Sequence, residues 1–166
     1  MGSKTRVVPT LSVVLGCVVF GGLAASGAMP AASTDTKLIE DAVLTVNAEM
    51  SQAGEAVDMD RLFSFMLDTD KGSIIQNGVL MATRQEALAT VKANLRDVHK
   101  IQYRWKNRYV TVLSPEVAVL TAEGESTATT SAGEVITTPF AQTAVFVLRD
   151  GHWKAIHAHQ STARAR

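Results

Sequence analysis

From residue 98 onward, three short turn signals divide the chain into four long segments, 98–113, 117–129, 134–149 and 152–161. The turns are Ser114-Pro-Glu116, Ser131-Ala-Gly133 and Asp150-Gly151, and β-branched residues run through every segment. A parallel return needs a crossover of a dozen or more residues, so segments joined by turns this short pair as an antiparallel meander. In the first segment His99, Ile101, Tyr103 and Trp105 alternate with Lys100, Gln102, Arg104 and Lys106. Side chains on a strand alternate between faces, so this pattern separates a dry face from a wet one. Tyr103 and Trp105 are therefore residues of a core or a pocket wall. Lys100, Arg104, Lys106 and Arg108 read as a solvated basic stripe.

Upstream, the periodicity is helical. Ser33-Thr-Asp-Thr36 offers capping side chains, and Ile39, Val43, Val46 and Met50 follow at three- and four-residue steps. Gly54 is expected to end this helix. Asp58 can cap a short second helix carrying Leu62, Phe63, Phe65 and Met66. Asn77-Gly78 between two short apolar runs predicts a tight hairpin, whose central residues need positive φ. Thr83 and Glu86 form a capping box, opening a third helix with Ala87, Leu88, Val91 and Leu95 on one face. The expected class is α+β, with three N-terminal helices on one side of a curved, mainly antiparallel sheet.

The first 33 residues are of another kind. Lys4 and Arg6 precede an uncharged, largely apolar stretch that ends in small residues up to Ser33, the layout of a secretory signal peptide. Cleavage is expected after residues 25–27 or within residues 30–33; an uncleaved membrane anchor is the alternative reading. Cys17, the only cysteine, lies in Val14-Leu-Gly-Cys17, which is similar to a lipoprotein box, so lipidation is a lesser reading. Removal of the leader would give a periplasmic or secreted domain without a thiol and without membrane association. The whole chain has a formal net charge of zero, and losing Lys4 and Arg6 leaves a slight acidic excess. That balance argues against nucleic acid as a partner. Residues 163–166 read as a frayed tail.

The capped helix after a short hairpin, and above all the ending Asp150-Gly-His-Trp-Lys-Ala-Ile-His-Ala-His-Gln-Ser161, give the chain a likeness to a known family. Over residues 36–162 it resembles the SnoaL-like, ketosteroid-isomerase-like domains of the nuclear-transport-factor-like superfamily. The resemblance implies a cone-shaped α+β barrel whose concave face lines a pocket. His157 and His159 share strand parity with Trp153 and Ser161, and the resemblance turns that parity inward. It thereby implies Tyr103, Trp105, Trp153, His157 and His159 as ligand contacts, with His157, His159 and Asp68 as candidate proton carriers. The plainer readings are a polar rim for the histidines, a solvated loop for Asp68 and Asp70, and packing for the aromatics. No third ligand at metal spacing joins the histidine pair, so neither metal nor cofactor is expected. Alternating threonines in residues 121–130 and 137–143 suit a sheet face that pairs two copies.

The expected function is an exported domain binding a small, largely apolar ligand, as a homodimer. An isomerase, cyclase or dehydratase using pocket His and Asp is the alternative. A non-catalytic dimerisation or interaction domain is the second alternative.

Overall fold

The computed structural model describes residues 34–162, so the expected leader with Cys17 and the expected tail at 163–166 lie outside the described residues. Helix α1 spans Thr34–Glu55, and its stripe is the expected one: Val43 is fully buried while Ile39, Val46 and Met50 pack against the core. The helix does not stop at Gly54. It ends where Val57 takes a φ of +56°, with Asp58 N donating to Ala53 O (2.9 Å) and Val57 N to Gly54 O (3.0 Å). These nested bonds satisfy the last carbonyls, as in a Schellman ending, here with valine in the left-handed position. Asp58 then caps α2 (Met59–Ser64), its Oδ1 accepting from Arg61 N at 3.0 Å.

Asn77 and Gly78, with φ of +51° and +83°, make the predicted hairpin between β1 (Ile74–Gln76) and β2 (Val79–Met81). Thr83 Oγ1 accepts from Glu86 N at 3.0 Å to open α3 (Arg84–Asn94), while the Glu86 carboxylate takes Ala82 N at 2.8 Å. The four long strands follow as β3 (Val98–Ser114), β4 (Val117–Thr130), β5 (Val135–Arg149) and β6 (His152–Thr162).

Together they form a six-stranded sheet in the order β2-β1-β6-β5-β4-β3. Every pairing is antiparallel except β1 with β6, where Ile74 lies beside Ala158 and Gln76 beside Gln160. The sheet is curved and open, with β2 and β3 as its edges, the cone-like, mainly antiparallel sheet expected from the sequence. Tyr103 N, on the free side of edge strand β3, is covered by the Glu55 carboxylate at 2.9 Å. Among the described residues no helix is long and apolar enough to cross a membrane.

Of the four register shifts in the described sheet, two decide which side chains look inward around the cavity. Trp105 pairs with Gly124 but Asn107 with Glu123, so Lys106 is an extra residue in β3. Val145 pairs with His157 but Phe146 with Ala155, so Ile156 is an extra residue in β6. An extra residue reverses the inward–outward parity beyond it. Arg108 therefore leaves the solvated stripe and joins the face of Trp105 and Ala122. Arg104 and Lys106 stay on the convex side, where both pair with Glu125 and hold its carboxyl below the usual range. Gly124 is needed at the first bulge, because a Cβ there would stand 2.7 Å from Arg104 O.

The core fills one end of the concave face. Phe146 and Leu120 are fully buried there, and Ala118, Ala122, Ala144 and Ala155 let Val43, Phe63 and Met66 approach the sheet closely. Burial of a side chain such as Phe146 contributes about 1.5–3 kcal/mol. Towards the other end of the concave face lies a cavity.

Candidate functional site

The cavity measures about 520 Å³ and is bounded by α1, α2, α3 and the concave face of the sheet. That is a usual size for a small-molecule site. One wall is aromatic. Tyr103 and Trp105 stack with centroids 6.3 Å apart, and Phe140 meets both edge-on, at 6.2 and 5.2 Å. Three rings braced in this way make a stiff, flat, apolar surface. Met50, Met59 and Leu62 face it from the helices.

Polar groups are placed around that wall. Trp105 Nε1 donates to Ser51 Oγ (3.2 Å), and Ser51 Oγ donates to the main-chain oxygen of Asn47 (2.8 Å). Arg108 Nη1 donates to Asn47 Oδ1 (3.3 Å), and its Cζ lies 5.8 Å from the Trp105 ring centroid. Across the cavity, Gln76 Nε2 donates to Gln160 Oε1 at 2.7 Å, a bond made possible by the parallel pairing of β1 with β6. Asn77 Oδ1 accepts from both Thr162 N (3.1 Å) and Thr162 Oγ1 (3.0 Å), tying the hairpin to the end of β6.

The lining contains amides, hydroxyls, thioethers and hydrocarbon, and none of the described residues that form it is Asp, Glu, His, Cys, Lys or Arg. Its one titratable group is the Tyr103 phenol, which burial, and then the nearby Glu55 charge, push above its ordinary range. The phenol is therefore neutral across the physiological range. The surface is suited to holding a neutral molecule, and it presents no group that exchanges a proton near pH 7.

The residues singled out from the sequence are divided by the fold. Tyr103 and Trp105 form the cavity wall. Trp153 is on the concave side but packs against the core at the opposite end. His157 and His159 carry the parity of Val145 and Thr143 on the convex side, because Ile156 has reversed the strand. The His157 ring is bonded through Nδ1 to Gly72 O at 2.8 Å, and His159 is exposed. Asp68 pairs with Arg84 at 3.1 Å in a separate, 810 Å³ groove beside α2 and α3. Neither the histidines nor Asp68 line the cavity, and they do not converge with one another. Asn47, Ser51, Gln142 and Gln160 line it without having been singled out. Asn47 did leave a signal, as an amide inside the apolar stripe of α1.

A family profile described as the SnoaL-like domain matches residues 43–165. The chain belongs to that family. No curated protein matches it. Among solved structures, a provisionally assigned dehydratase of the NTF2-like family from Streptomyces avermitilis is 21% identical with a TM-score of 0.68, the match covering 78% of this chain and 99% of that one. A provisionally assigned scytalone dehydratase from Novosphingobium aromaticivorans is 15% identical with a TM-score of 0.70, over 79% of this chain and 89% of that one. A ketosteroid isomerase-like protein from Erwinia carotovora atroseptica is 17% identical with a TM-score of 0.63, over 75% and 96%. At these identities the likeness establishes the fold alone.

Proposed function

We propose that this SnoaL-like domain is exported and binds a small, neutral, ring-bearing molecule in the cavity between its helices and the concave face of its sheet. One observation carries the reading: a cavity of about 520 Å³ walled by Tyr103, Trp105 and Phe140, whose polar lining consists of amides and hydroxyls. A flat apolar ligand gains from the aromatic wall, and a few amides fix its orientation. A cavity of that volume also weighs against a domain whose pocket is filled by its own side chains.

Export is proposed on the n-region, apolar run and small-residue exit of residues 1–33, with a periplasmic or secreted destination. Homodimerisation is proposed through the convex face of the sheet. There Tyr109 and Leu113 are 64% and 62% exposed on β3, and Thr121 and Thr143 continue the surface onto β4 and β5. Isolated apolar residues are ordinary on a surface, but a threonine-rich sheet face that carries them suits self-association.

An enzymatic reading draws on the solved structures described as dehydratases and as ketosteroid isomerase-like. It requires a proton carrier at the ligand, and within the lining only the Tyr103 phenol could take that part.

The test is native mass spectrometry of the protein purified gently from its own host. A co-purifying neutral compound that is displaced by an added aromatic, and absent from a Trp105→Ala variant, is the expected result. A cavity that takes up no aromatic compound at millimolar concentration would refute the binding reading.

A further inference from the structure

Asn47 is 3% exposed, sits in the apolar stripe of α1 beside Val43 and Val46, and lines the cavity. A buried amide at such a place costs stability unless all its groups are used, so its partners are informative. Arg108 Nη1 bonds its side chain at 3.3 Å. A guanidinium carries donors only, so the group facing Arg108 must be Oδ1, and the amide cannot be turned over. Arg108 is itself held against the Trp105 ring, and it does not line the cavity. The Nδ2 group is thereby directed away from Arg108, and among the described residues nothing accepts a hydrogen bond from it. The neighbouring Ser51 hydroxyl donates to Asn47 O and accepts from Trp105 Nε1.

We propose that Asn47 is the polar anchor of the cavity. Its Nδ2, aimed by Arg108, donates to an acceptor oxygen, such as a ketone or ester carbonyl, on an otherwise apolar ring compound stacked against Tyr103, Trp105 and Phe140. This rests on reading the cavity as a binding site and specifies the ligand class within it. Arg108 is a positioning residue, because it acts on the ligand through the orientation of the amide. The Tyr103 hydroxyl, which has no hydrogen-bond partner among the described residues, is a second donor in the lining of the cavity.

The test compares 2-acetylnaphthalene with 2-ethylnaphthalene, which match in shape and differ in the carbonyl, by calorimetric titration of the purified protein. The ketone is expected to bind about tenfold more tightly, the value of one well-placed neutral hydrogen bond. Asn47→Asp keeps the size of the side chain and a partner for Arg108 but removes the donor, and should bring the affinity ratio to about one. Arg108→Met leaves the amide free to turn and should reduce the ratio to about threefold or less; it also serves if Asn47→Asp fails to fold by circular dichroism. Equal binding of the two compounds to the wild type would overturn the anchor while leaving the cavity a binding site. Retention of the full ratio in either folded variant would overturn it as well. Binding of neither compound would overturn both the anchor and the reading it rests on.

Discussion

The phenol of Tyr103 lies directly against the backbone of Gly54: a Cβ added there would stand 2.9 Å from Tyr103 Cε2 and 3.0 Å from its Oη. This contact brings the end of α1 down onto β3 and sets the depth of the cavity at its aromatic wall. Gly54→Ala should gain about 1 kcal/mol of helix propensity and lose a comparable amount to crowding. The ring has open space on its cavity side, so the expected relief is a shift of Tyr103 into that space. Thermal stability should change by about 1 kcal/mol or less, while the affinity for 2-ethylnaphthalene falls by roughly tenfold. A large drop in melting temperature with affinity intact would show that the ring is fixed and the cavity is not shaped by this contact.

Val57 holds a φ of +56°, a region that β-branched side chains disfavour, and it does so to end α1 and admit Asp58 as the cap of α2. Val57→Gly removes that strain and keeps the nested hydrogen bonds. It should stabilise the domain by about 1 kcal/mol, which raises the melting temperature by about 3 °C. Scanning calorimetry of the pair measures it, and a lower melting temperature would mean that the valine side chain contributes more by packing than its backbone costs.

Ser73 is 0% exposed and its Oγ has no hydrogen-bond partner among the described residues, although its backbone is bonded on both sides, to Ala82 O and from Ala158 N. A buried hydroxyl without a partner carries its desolvation cost uncompensated. Ser73→Ala removes the hydroxyl and almost no volume. Stability should rise, or at least stay level, by about 0–1 kcal/mol in urea titration. A loss above about 1 kcal/mol would reveal a hydrogen bond made through a bridging water.

Alkaline titration should show Tyr103 directly. Burial raises its folded-state pKa above the value in the unfolded chain, so between those two values the unfolded state loses the proton and the folded state keeps it. Its contribution to stability is complete below about pH 10 and is lost as pH rises from there towards the folded pKa. The wild type should therefore lose stability more steeply above that pH than Tyr103→Phe does. In tyrosinate absorbance, the step that disappears in Tyr103→Phe should be a late one. Ionisation of Tyr103 at an ordinary pH would mean that the cavity is wetter than its lining implies.

The parts of the fold legible in the sequence were those with a local chemical cause. Asp58, Thr83 with Glu86, and Asn77-Gly78 each announced a cap or turn, because the side chain that makes the bond lies within a few residues of the group it satisfies. Strand existence was equally legible from the alternation around Ile101, Tyr103 and Trp105. The faces beyond Lys106 and Ile156 were not, because the extra residue of a bulge need be of no particular type, and the one glycine that the first bulge requires, Gly124, lies on the opposite strand. That single uncertainty moved Arg108 to the concave side and removed both histidines from it. The parallel pairing of β1 with β6 was hidden for a different reason, since a three-residue strand carries too little pattern to name its partner. Asn47 was within reach, as a polar residue at a core position of a well-marked helix.

The bulge at Ile156 makes the most direct contest between the sequence pattern and the structure. With parity alone, His157, His159 and Trp153 would share a face; with the extra residue, the histidines stand with Val145 and Thr143 on the convex side. His157→Ala with His159→Ala should therefore leave the affinity for 2-acetylnaphthalene within about twofold of the wild type, since a tenfold change needs 1.4 kcal/mol at the ligand itself. The same double variant should lose about 1 kcal/mol of stability, because the His157 bond to Gly72 O ties the segment before β1 to β6. If the convex face pairs two copies, removing both rings from it should also weaken the dimer in sedimentation. Loss of ligand affinity with stability unchanged would return the histidines to the cavity and place the bulge elsewhere in the strand.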